Sequence, residues 1–595
     1  MNTKLINKSE VKSVIKVKGI FGNIAASLAM WIVGLNKVNK IYENVKEYEG
    51  VRFAEEILKY LNIECKINNE ELERIPKEGP FIIVSNHPFG AIDGLAMLCK
   101  IGEVRPDTKL LTNFILSYIP NLSEYIFSVN PFTNNPGLKS SFSGLKLAKE
   151  HLERGGVLGL FPAGEVSSNK NRERIVKDIE WQDSIIKLIK GANVPVVPIY
   201  FYGKNSNFFH LIGKIHPLLR TIRLPHEIAN KKNKPIQLSI GKAILPSELN
   251  EFMDIKSLGK YLWNRTYALE CNIKSNEVIS TIESNYTKPI AEPIKKDILE
   301  SEINANNNKS LFNIGNYSCY LFDYTDIPNT ITELGRRREE AFRAVGEGTG
   351  FPIDTDKYDK YYKHLVLWDN SNKEIAGAYR LGFGREIIGK KGRKGLYSHT
   401  LFNYTHKFKP YLIDSIELGR SFVSVEYQKE ALPLMLLIKG LTFTVIKYPE
   451  IKHLIGPVSM SSWYPHFYQS LMIHYLKEKC SIKEFEKFAR PKNPFIPNFN
   501  LVNENELLAN KMSSLEKFDR FIYKLSYNKY KLPPLLKKYI KFNAKIIAYN
   551  VDPDFNNCVD GLIMLNVNEF PKSEIDLFTK EIENKTEIYK RFEIY

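Results

Sequence analysis

The segment from Phe81 to Gly94 constrains the fold of this chain more than any other part of the sequence. It reads Phe-Ile-Ile-Val-Ser-Asn-His-Pro-Phe-Gly-Ala-Ile-Asp-Gly. The four apolar residues at its start predict a short buried strand, and the polar, glycine-containing residues after them predict a loop that opens a helix near Gly94. Predicted strands alternate with predicted helices through residue 245. This alternation indicates an α/β domain with a mixed sheet covered by helices.

The predicted loop contains one histidine and one aspartate, His87 and Asp93. At the end of a strand, a carboxylate can hold one imidazole nitrogen and leave the other free to take a proton from a hydroxyl. That arrangement suits acyl transfer to an alcohol. The alternative is a loop histidine that binds a backbone carbonyl beside an aspartate that caps the helix. The pair alone does not decide between the two interpretations.

Two later segments repeat the pattern of an apolar strand that ends in a polar turn. Residues 157–167 contain Phe-Pro-Ala-Gly-Glu-Val-Ser, and residues 194–203 contain Val-Pro-Val-Val-Pro. Together with the first segment, they resemble the blocks of the glycerolipid acyltransferase family over residues 60–245. The resemblance implies that His87 is the general base and that Asp93 fixes its tautomer. It also implies substrate-binding roles for Asn86, Gly90, Phe161, Pro162, Gly164, Glu165 and Ser167.

The first two blocks depart from the common family pattern. Five residues rather than four separate His87 from Asp93, and the acidic residue of the second block, Glu165, stands two places late. Both departures resemble the branch that acylates lyso-ornithine and related aminolipids, often called hemolysin-like. Residues 125–132, where the family usually carries an arginine that grips phosphate, contain no arginine. This difference disfavours an acceptor that bears phosphate.

Length and charge limit the classes of partner. A chain of 595 residues predicts at least two domains. The formal net charge of +17 favours anionic partners, namely nucleic acid, anionic lipid or an acidic carrier protein. Nucleic acid is disfavoured, because the sequence has no basic run interleaved with aromatic residues, no finger spacing and no P-loop. The six cysteines are scattered without a Cys-x-x-Cys pair, so neither a disulfide framework nor a zinc site is predicted.

The N-terminal segment predicts a helix that lies on a membrane. Residues 19–35 are largely apolar but contain Asn23 and Ser27, and they fall short of the ~20 apolar residues that a spanning helix needs. The alternative is an ordinary helix packed on the domain. We therefore expect a membrane-associating segment over 1–45, an O-acyltransferase domain over 46–274, a polar linker over 275–312 and a second domain over 313–595. The expected location is the cytoplasmic face of a bacterial inner membrane, as a peripheral protein.

The second half has the strand and helix order of another acyl-transferring fold. Residues 364–368 and 374–381 predict a hairpin, 414–424 a further strand and 432–446 an apolar helix. This order resembles the GNAT N-acyltransferase fold, again α/β. The motifs that resemble its ornithine N-acyltransferases, and more distantly acyl-homoserine-lactone synthases, are Arg338-x-x-x-Phe342, Asp356-x-x-Asp359, Gly377-Ala-Tyr-Arg380 and Glu417-Leu-Gly-Arg420. That branch takes acyl groups from acyl carrier protein.

Charged residues on an apolar predicted strand must be paired or must line a cleft. Glu417 and Arg420 therefore form either a pair that stabilises the fold or part of a site. The resemblance implies that Glu417 takes the proton from an amino nucleophile, and that Arg380 or Arg420 binds the amino-acid carboxylate or orders the acidic loop. Asp356 and Asp359 are expected either to attract an ammonium group or to be solvated. Arg338 is the remaining expected substrate-binding residue.

Together the two resemblances predict a fused aminolipid synthase, of the kind that joins these halves to make ornithine lipids. The second domain would N-acylate ornithine, or else glycine, with a 3-hydroxyacyl group, and the first would O-acylate the resulting lyso-lipid. No metal or cofactor is expected, and the donor is acyl carrier protein thioester or acyl coenzyme A. The lack of a glycine-rich diphosphate loop near residue 430 favours the carrier protein. The alternatives are a lysophospholipid acyltransferase with a regulatory second domain, and a membrane-lytic protein.

Overall fold

The computed structural model describes residues 4–15, 19–113, 119–129, 140–169, 175–271 and 288–593. The chain forms two compact units. The first unit comprises Met1–Glu277 and Asn500–Lys517, and the second comprises Val278–Phe499 and Phe518–Tyr595. The expected second domain over 313–595 is therefore wrong for residues 500–517. Those residues fold with the first unit, where Lys511 Nζ lies 2.8 Å from Glu251 Oε2.

The first unit is built on a seven-stranded sheet in the order β1-β7-β6-β2-β5-β3-β4. Its strands are β1 Cys65–Lys66, β2 Phe81–Ser85, β3 Thr108–Asn113, β4 Ile126–Val129, β5 Val157–Leu160, β6 Val196–Tyr202 and β7 Ile236–Ile240. Neighbouring strands are parallel except β6 and β7. All five residues of the central strand β2 are buried, as its apolar sequence predicts. The mixed sheet expected from the sequence is thus confirmed.

Between residues 8 and 267, twelve α-helices are described besides this sheet. They are α1 Lys8–Ile15, α2 Gly19–Val33, α3 Leu35–Val45, α4 Gly50–Tyr60, α5 Asn69–Leu72, α6 Ala91–Gly102, α7 Ser140–Glu153, α8 Asp183–Ala192, α9 Asn207–Ile215, α10 Pro217–Asn230, α11 Pro246–Leu249 and α12 Ile255–Tyr267. Phe53 and Ile57 of α4 pack with Met97 of α6 in the main core. In the part of the chain that the structure describes, no helix combines the length and apolar character needed to cross a bilayer.

The second unit contains an eight-stranded sheet in the order β16-β17-β14-β13-β11-β10-β9-β8. Its strands are β8 Ser310–Ile314, β9 Tyr317–Phe322, β10 Lys363–Asp369, β11 Glu374–Phe383, β13 Ser415–Val423, β14 His453–Met460, β16 Lys545–Asp552 and β17 Cys558–Asn566, and a small separate sheet pairs β12 Phe402–Tyr404 with β15 Ala489–Pro491. Only β13 and β14 run parallel within the larger sheet of the described chain. Their ladder has three residue pairs and ends at Glu417 and Ile455. Both strands continue beyond that point, so they diverge.

In the second half of the described chain, five α-helices have ten or more residues and the others have eight or fewer. Their bounds are Lys296–Ala305, Pro328–Arg343, Gly384–Lys391, Lys409–Ile413, Leu432–Lys447, His466–Cys480, Lys483–Glu486, Glu504–Leu507, Leu515–Leu525, Pro534–Lys541, Lys572–Phe578 and Thr586–Arg591. The helix 296–305 and strand β8 lie in the interval predicted as a linker, so that prediction is wrong for residues 296–312. Leu299 and Ile303, four residues apart, are buried on one side of the helix and contribute to the core. Residues 272–287 of the predicted linker lie outside the described residues.

Candidate active sites

The loop after β2 brings His87 and Asp93 together. His87 Nδ1 lies 3.0 Å from Asp93 Oδ2, and the histidine side chain is 18% exposed whereas the aspartate is fully buried. Asp93 Oδ2 also accepts hydrogen bonds from the backbone N–H groups of Phe89 and Gly90, at 2.8 and 3.0 Å. The carboxylate thus fixes the ring through Nδ1. Nε2 is the nitrogen left for a substrate hydroxyl.

Asp93 caps the helix and orients the histidine at the same time. It is the third residue of α6, where a carboxylate is favoured by the positive end of the helix dipole. Burial raises the pKa of Asp93, while His87 and the two backbone donors favour its ionised form. The two interpretations left open by the sequence are therefore compatible. The capping bonds hold the carboxylate where His87 needs it.

The second block lies directly against this loop. The Phe161 ring stacks on the His87 ring with centroids 4.1 Å apart and planes at 28°. The backbone N–H of Ser167 donates to the carbonyl oxygen of His87 at 2.9 Å. Phe161 thus contacts the imidazole itself. Ser167 contacts the backbone of His87, and its hydroxyl donates to Asp178.

The turn between these two contacts needs its glycine. Gly164 has φ +70°, and a Cβ atom there would lie 1.9 Å from Gln182 Nε2. Gln182 donates its backbone N–H to the carbonyl oxygen of Pro162 at 3.0 Å. Pro162 and Gly164 therefore shape the turn, and the structure shows no polar side-chain group at either position for binding a substrate.

Asn86 of the first block is bonded to the neighbouring strand β6. Its Nδ2 donates to the Phe201 carbonyl at 2.8 Å, and its Oδ1 accepts from the Phe201 N–H at 2.7 Å. The side chain is buried, and both of its polar atoms are used in bonding to β6. These bonds give Asn86 a structural role, and its substrate-binding role stays a prediction. Asn86 fastens the loop to the neighbouring strand.

Asp178 is a buried carboxylate that the sequence reasoning missed. It accepts hydrogen bonds from the Ser167 hydroxyl, from the His87 backbone N–H at 3.2 Å and from Trp181 Nε1 at 3.2 Å. Burial raises the pKa of Asp178 to about 6. It stands outside the three motif blocks, so no motif drew attention to it. Through these bonds it joins the first block to the second.

Glu165 of the second block is paired with a cation. Its Oε2 lies 2.9 Å from Nη2 of Arg220, a largely buried residue of α10. On the same helix, Leu224 faces the loop, since a Cβ on Gly90 would lie 3.2 Å from its Cδ2 atom. Gly90 has φ +80°, which lets the chain turn into α6. We call the group formed by Gly90, Glu165, Arg220 and Leu224 the mouth of the His87 site. Its guanidinium was not found from the sequence.

In the second unit the predicted charged residues form one ion-pair network. Its members are Arg338, Asp354, Asp356, Asp359, Arg380 and Arg420. Arg338 Nη1 lies 2.7 Å from Asp359 Oδ1, and both groups are buried. Burial opposes the charge of Asp359, but Arg338 and Arg380 outweigh it and hold the pKa of Asp359 well below its usual range. This pair holds the acidic loop to helix 328–343.

Arg380 occupies a cage of aromatic rings. Its guanidinium lies 5.4 to 5.6 Å from the ring centroids of Tyr358, Tyr362 and Tyr397, and the residue is 1% exposed. Nη1 also lies 2.7 Å from Asp356. The contact with Asp356 fits the expected ordering of the acidic loop. Nε and Nη2 of Arg380 have no hydrogen-bond partner among the described residues, so carboxylate binding by this guanidinium stays a prediction.

Glu417 is also engaged within the fold. Its Oε2 accepts hydrogen bonds from the Tyr362 hydroxyl and the Tyr397 N–H, and its Oε1 accepts from the Ser398 N–H at 2.8 Å. The residue is 2% exposed. These three bonds fix the 397–398 turn and leave Glu417 with an acceptor site on Oε1. The general-base role of Glu417 stays a prediction.

Acidic side chains missed by the sequence reasoning lie beyond the point where β13 and β14 diverge. Glu347 accepts a hydrogen bond from the hydroxyl of Ser459 in β14 at 2.7 Å, and burial raises its pKa to about 7. Burial, Asp552 and Glu347 raise the pKa of Asp560 well above its usual value. The guanidinium of Arg420 lies near this group and favours its negative charge. No motif of the sequence contains Glu347.

Arg420 stands on β13 just past the divergence. It has φ +47°, and its side chain lies 2.9 Å from Asp354 and 4.5 Å from the Phe555 ring centroid. The predicted residues of the second unit are thus brought together, and Arg420 links them to Asp560. Within the described residues, no three His, Cys, Asp or Glu side chains are arranged to hold a metal ion.

Comparison with known families and proteins agrees with the division of the chain into two units. Residues 30–276 match the model of a family described as Acyltransferase, and residues 337–438 match the Acetyltransferase (GNAT) domain. A glycine N(alpha)-acyltransferase of Phocaeicola vulgatus is 31% identical over 320 residues, which are 49% of this chain and 94% of that protein. A lyso-glycine lipid O-acyltransferase of Bacteroides thetaiotaomicron is 28% identical, over 36% of this chain and 78% of that protein.

Among solved structures, the 1-acyl-sn-glycerophosphate acyltransferase PlsC of Thermotoga maritima is similar at 17% identity with a TM-score of 0.25. The match covers 43% of this chain and 89% of that chain.

Proposed function

The chain belongs to the family of the glycine Nα-acyltransferases, and from this membership we propose that it makes a diacylated amino-acid lipid with its two units. It is an enzyme that transfers acyl groups, with an acyltransferase domain and a GNAT domain. Sequence reasoning placed ornithine before glycine as the head group. The names of the relatives support glycine instead.

In the proposed first step, the second unit N-acylates the amino acid. The amine nitrogen attacks the carbonyl carbon of a 3-hydroxyacyl thioester, the carbon–sulfur bond breaks, and the thiol leaves with a proton. We assign the removal of the amine proton to Glu347, because its carboxylate lies where β13 and β14 diverge and its pKa of about 7 suits a base near neutral pH.

In the proposed second step, the first unit esterifies the 3-hydroxyl of the lyso-lipid. His87 Nε2 takes the hydroxyl proton, the oxygen attacks a second acyl thioester, and His87 returns the proton to the departing thiol. The contact that carries this assignment is the pair of His87 and Asp93, 3.0 Å apart. A phosphate-bearing acceptor is less suited, because Glu165 already neutralises Arg220 beside the site.

The partners follow from charge and from the substrates. The net charge of +17 supports an acidic acyl carrier protein as donor and an anionic membrane as the place of work. The lyso-lipid is itself a membrane amphiphile, which supports a peripheral membrane location. Residues 1–45 would supply the anchor.

The test is the lipid extract of a host that makes no aminolipids, analysed by mass spectrometry. We expect the wild type to produce a new phosphorus-free lipid, whose head-group mass names the amino acid. His87→Ala should accumulate the mono-acylated form, and Glu347→Gln should make neither. Two exposed positions, His406→Ala and Glu484→Gln, provide matched controls that should behave as wild type. Remodelled phospholipid alone, unchanged in Glu347→Gln, would establish the lysophospholipid alternative.

A further inference from the structure

Three helices of the first unit carry large apolar side chains on their outer sides. We call this set the exposed apolar face. Its members are Phe21, Ile24, Leu28, Trp31 and Ile32 on α2, Phe208, Leu211 and Ile215 on α9, and Leu219 and Ile222 on α10. Trp31 is 71% exposed and Ile215 is 75% exposed. Soluble monomers rarely expose a continuous apolar surface of this extent, so the face indicates a binding surface.

The exposed residues of α9 follow a helical spacing. Phe208, Leu211 and Ile215 are three and four residues apart and so share one side of the helix, while Phe209 and His210 are buried on the other. A helix of a globular domain normally turns its apolar side inward. Here an apolar side remains exposed after the inward side is already packed, as in helices that lie in a membrane interface.

The three helices form one surface rather than separate patches. Helix α10 packs against both α9 and α2. The guanidinium of Arg223 joins them, since it lies 5.1 Å from the ring centroid of Phe208 and its Nη1 donates to the Ile32 carbonyl at 3.5 Å. Ile32 of α2 and Phe208 of α9 therefore contact the same guanidinium, that of Arg223.

The charge of this surface fits an anionic bilayer. Helices α2, α9 and α10 contain a single acidic residue, Glu227, which is buried and accepts two hydrogen bonds from Ser206. The basic residues Lys214, Arg223 and, in the next helix α3, Lys37 lie on or beside the face. Lipid phosphates would thus meet cations and no exposed carboxylate on these three helices.

The inner side of α10 lies at the mouth of the His87 site. Arg220 binds Glu165 there, and Leu224 lies beside Gly90. The same helix presents Leu219 and Ile222 outward. One helix therefore separates the site from the exposed apolar face, so a molecule seated in a bilayer on this face would lie next to the mouth.

We propose that α9 and α10 dock the first unit on the surface of an anionic lipid bilayer, together with α2. The docking places the mouth of the His87 site at the bilayer, where an acyl chain can stay in the membrane while its hydroxyl reaches Nε2. The significance of this placement rests on the proposed function, but the docking itself does not.

The experiment is vesicle flotation of the full chain with phosphatidylethanolamine vesicles that contain phosphatidylglycerol. The test variant is Leu211→Asp with Ile215→Asp, which leaves α2 unchanged. The control is Met253→Asp with Leu577→Asp, which adds the same charge at exposed apolar positions outside the face. We expect the test variant to bind at least about tenfold more weakly than wild type and the control to bind within about twofold.

Equal unfolding midpoints for both variants establish that the folds are intact. Flotation of the α9 variant equal to wild type would overturn the proposal. So would a wild-type dimer in sedimentation that this variant dissociates, because the face would then bind a second copy of the chain. Flotation uses no acyl transfer, so its failure leaves the proposed function standing, and a wild type that floats but makes no lipid would count against the function alone.

Discussion

Replacing Glu417 with alanine separates a structural role from a catalytic one. The change removes the acceptor of the Tyr362 hydroxyl and of the Tyr397 and Ser398 N–H groups. The Tyr397 N–H keeps Tyr362 Oη as an acceptor at 3.0 Å. Each of the two buried donors left without a partner costs about 1–3 kcal/mol, so we expect a loss of about 2–6 kcal/mol in the free energy of unfolding. Tyr362→Phe removes one of the three bonds and should cost about 1 kcal/mol.

The assay pairs urea denaturation with N-acylation of the amino acid by each variant. Glu417→Ala should lose stability and activity together, whereas Glu347→Gln should keep its stability at neutral pH and lose about 10²-fold or more of its N-acylation rate. The control Glu484→Gln changes an exposed carboxylate of the same unit and should alter neither quantity. If Glu417→Ala unfolds at the wild-type urea concentration but no longer acylates, Glu417 is the base and the reasoning from its three hydrogen bonds is refuted.

Three further predictions concern individual carboxylates. Asp93→Asn should lower O-acylation about 10³-fold and leave N-acylation unchanged, since an amide offers His87 Nδ1 the wrong partner; separate assays of the two steps check this, and equal losses would contradict it. Burial raises the pKa of Asp178 to about 6, so the folded state binds the extra proton and stability should fall by about 2–3 kcal/mol as pH rises from about 4 to 6. Denaturation of Asp178→Asn across that range should lack this decline. The N-acylation rate should rise with pH through about 7 as Glu347 ionises, and a rate–pH profile without that rise would remove Glu347 as the base.

The first unit was largely predictable because its chemistry sits at strand ends. An apolar run followed by a glycine-containing loop fixes where β2 stops, and that point puts His87 and Asp93 within reach of each other. The contacts of Asp178 with His87 and of Arg220 with Glu165 were not predicted, because each joins segments that are distant in sequence. Nothing local distinguishes a carboxylate that will accept the His87 backbone N–H from one that will face solvent.

The second unit shows that a motif can be located from the sequence while the partners of its side chains cannot. The strand carrying Glu417 was predicted, and so was the need to pair its charge. Which groups fill its oxygens depends on Tyr362 and the 397–398 turn, which arrive from other parts of the chain. Similarly, the polar composition of residues 296–312 concealed the spacing of Leu299 and Ile303 that makes this stretch a packed helix.

The loop between His87 and Asp93, one residue longer than the common family spacing, itself holds the aspartate beside the histidine. Gly90, at φ +80°, allows the chain to reverse before α6 begins. The N–H groups of Phe89 and Gly90 both donate to Asp93 Oδ2, so backbone donors of the longer loop hold the carboxylate. Both donors belong to the five residues between His87 and Asp93, so the loop that contains the additional residue also holds the carboxylate 3.0 Å from His87 Nδ1.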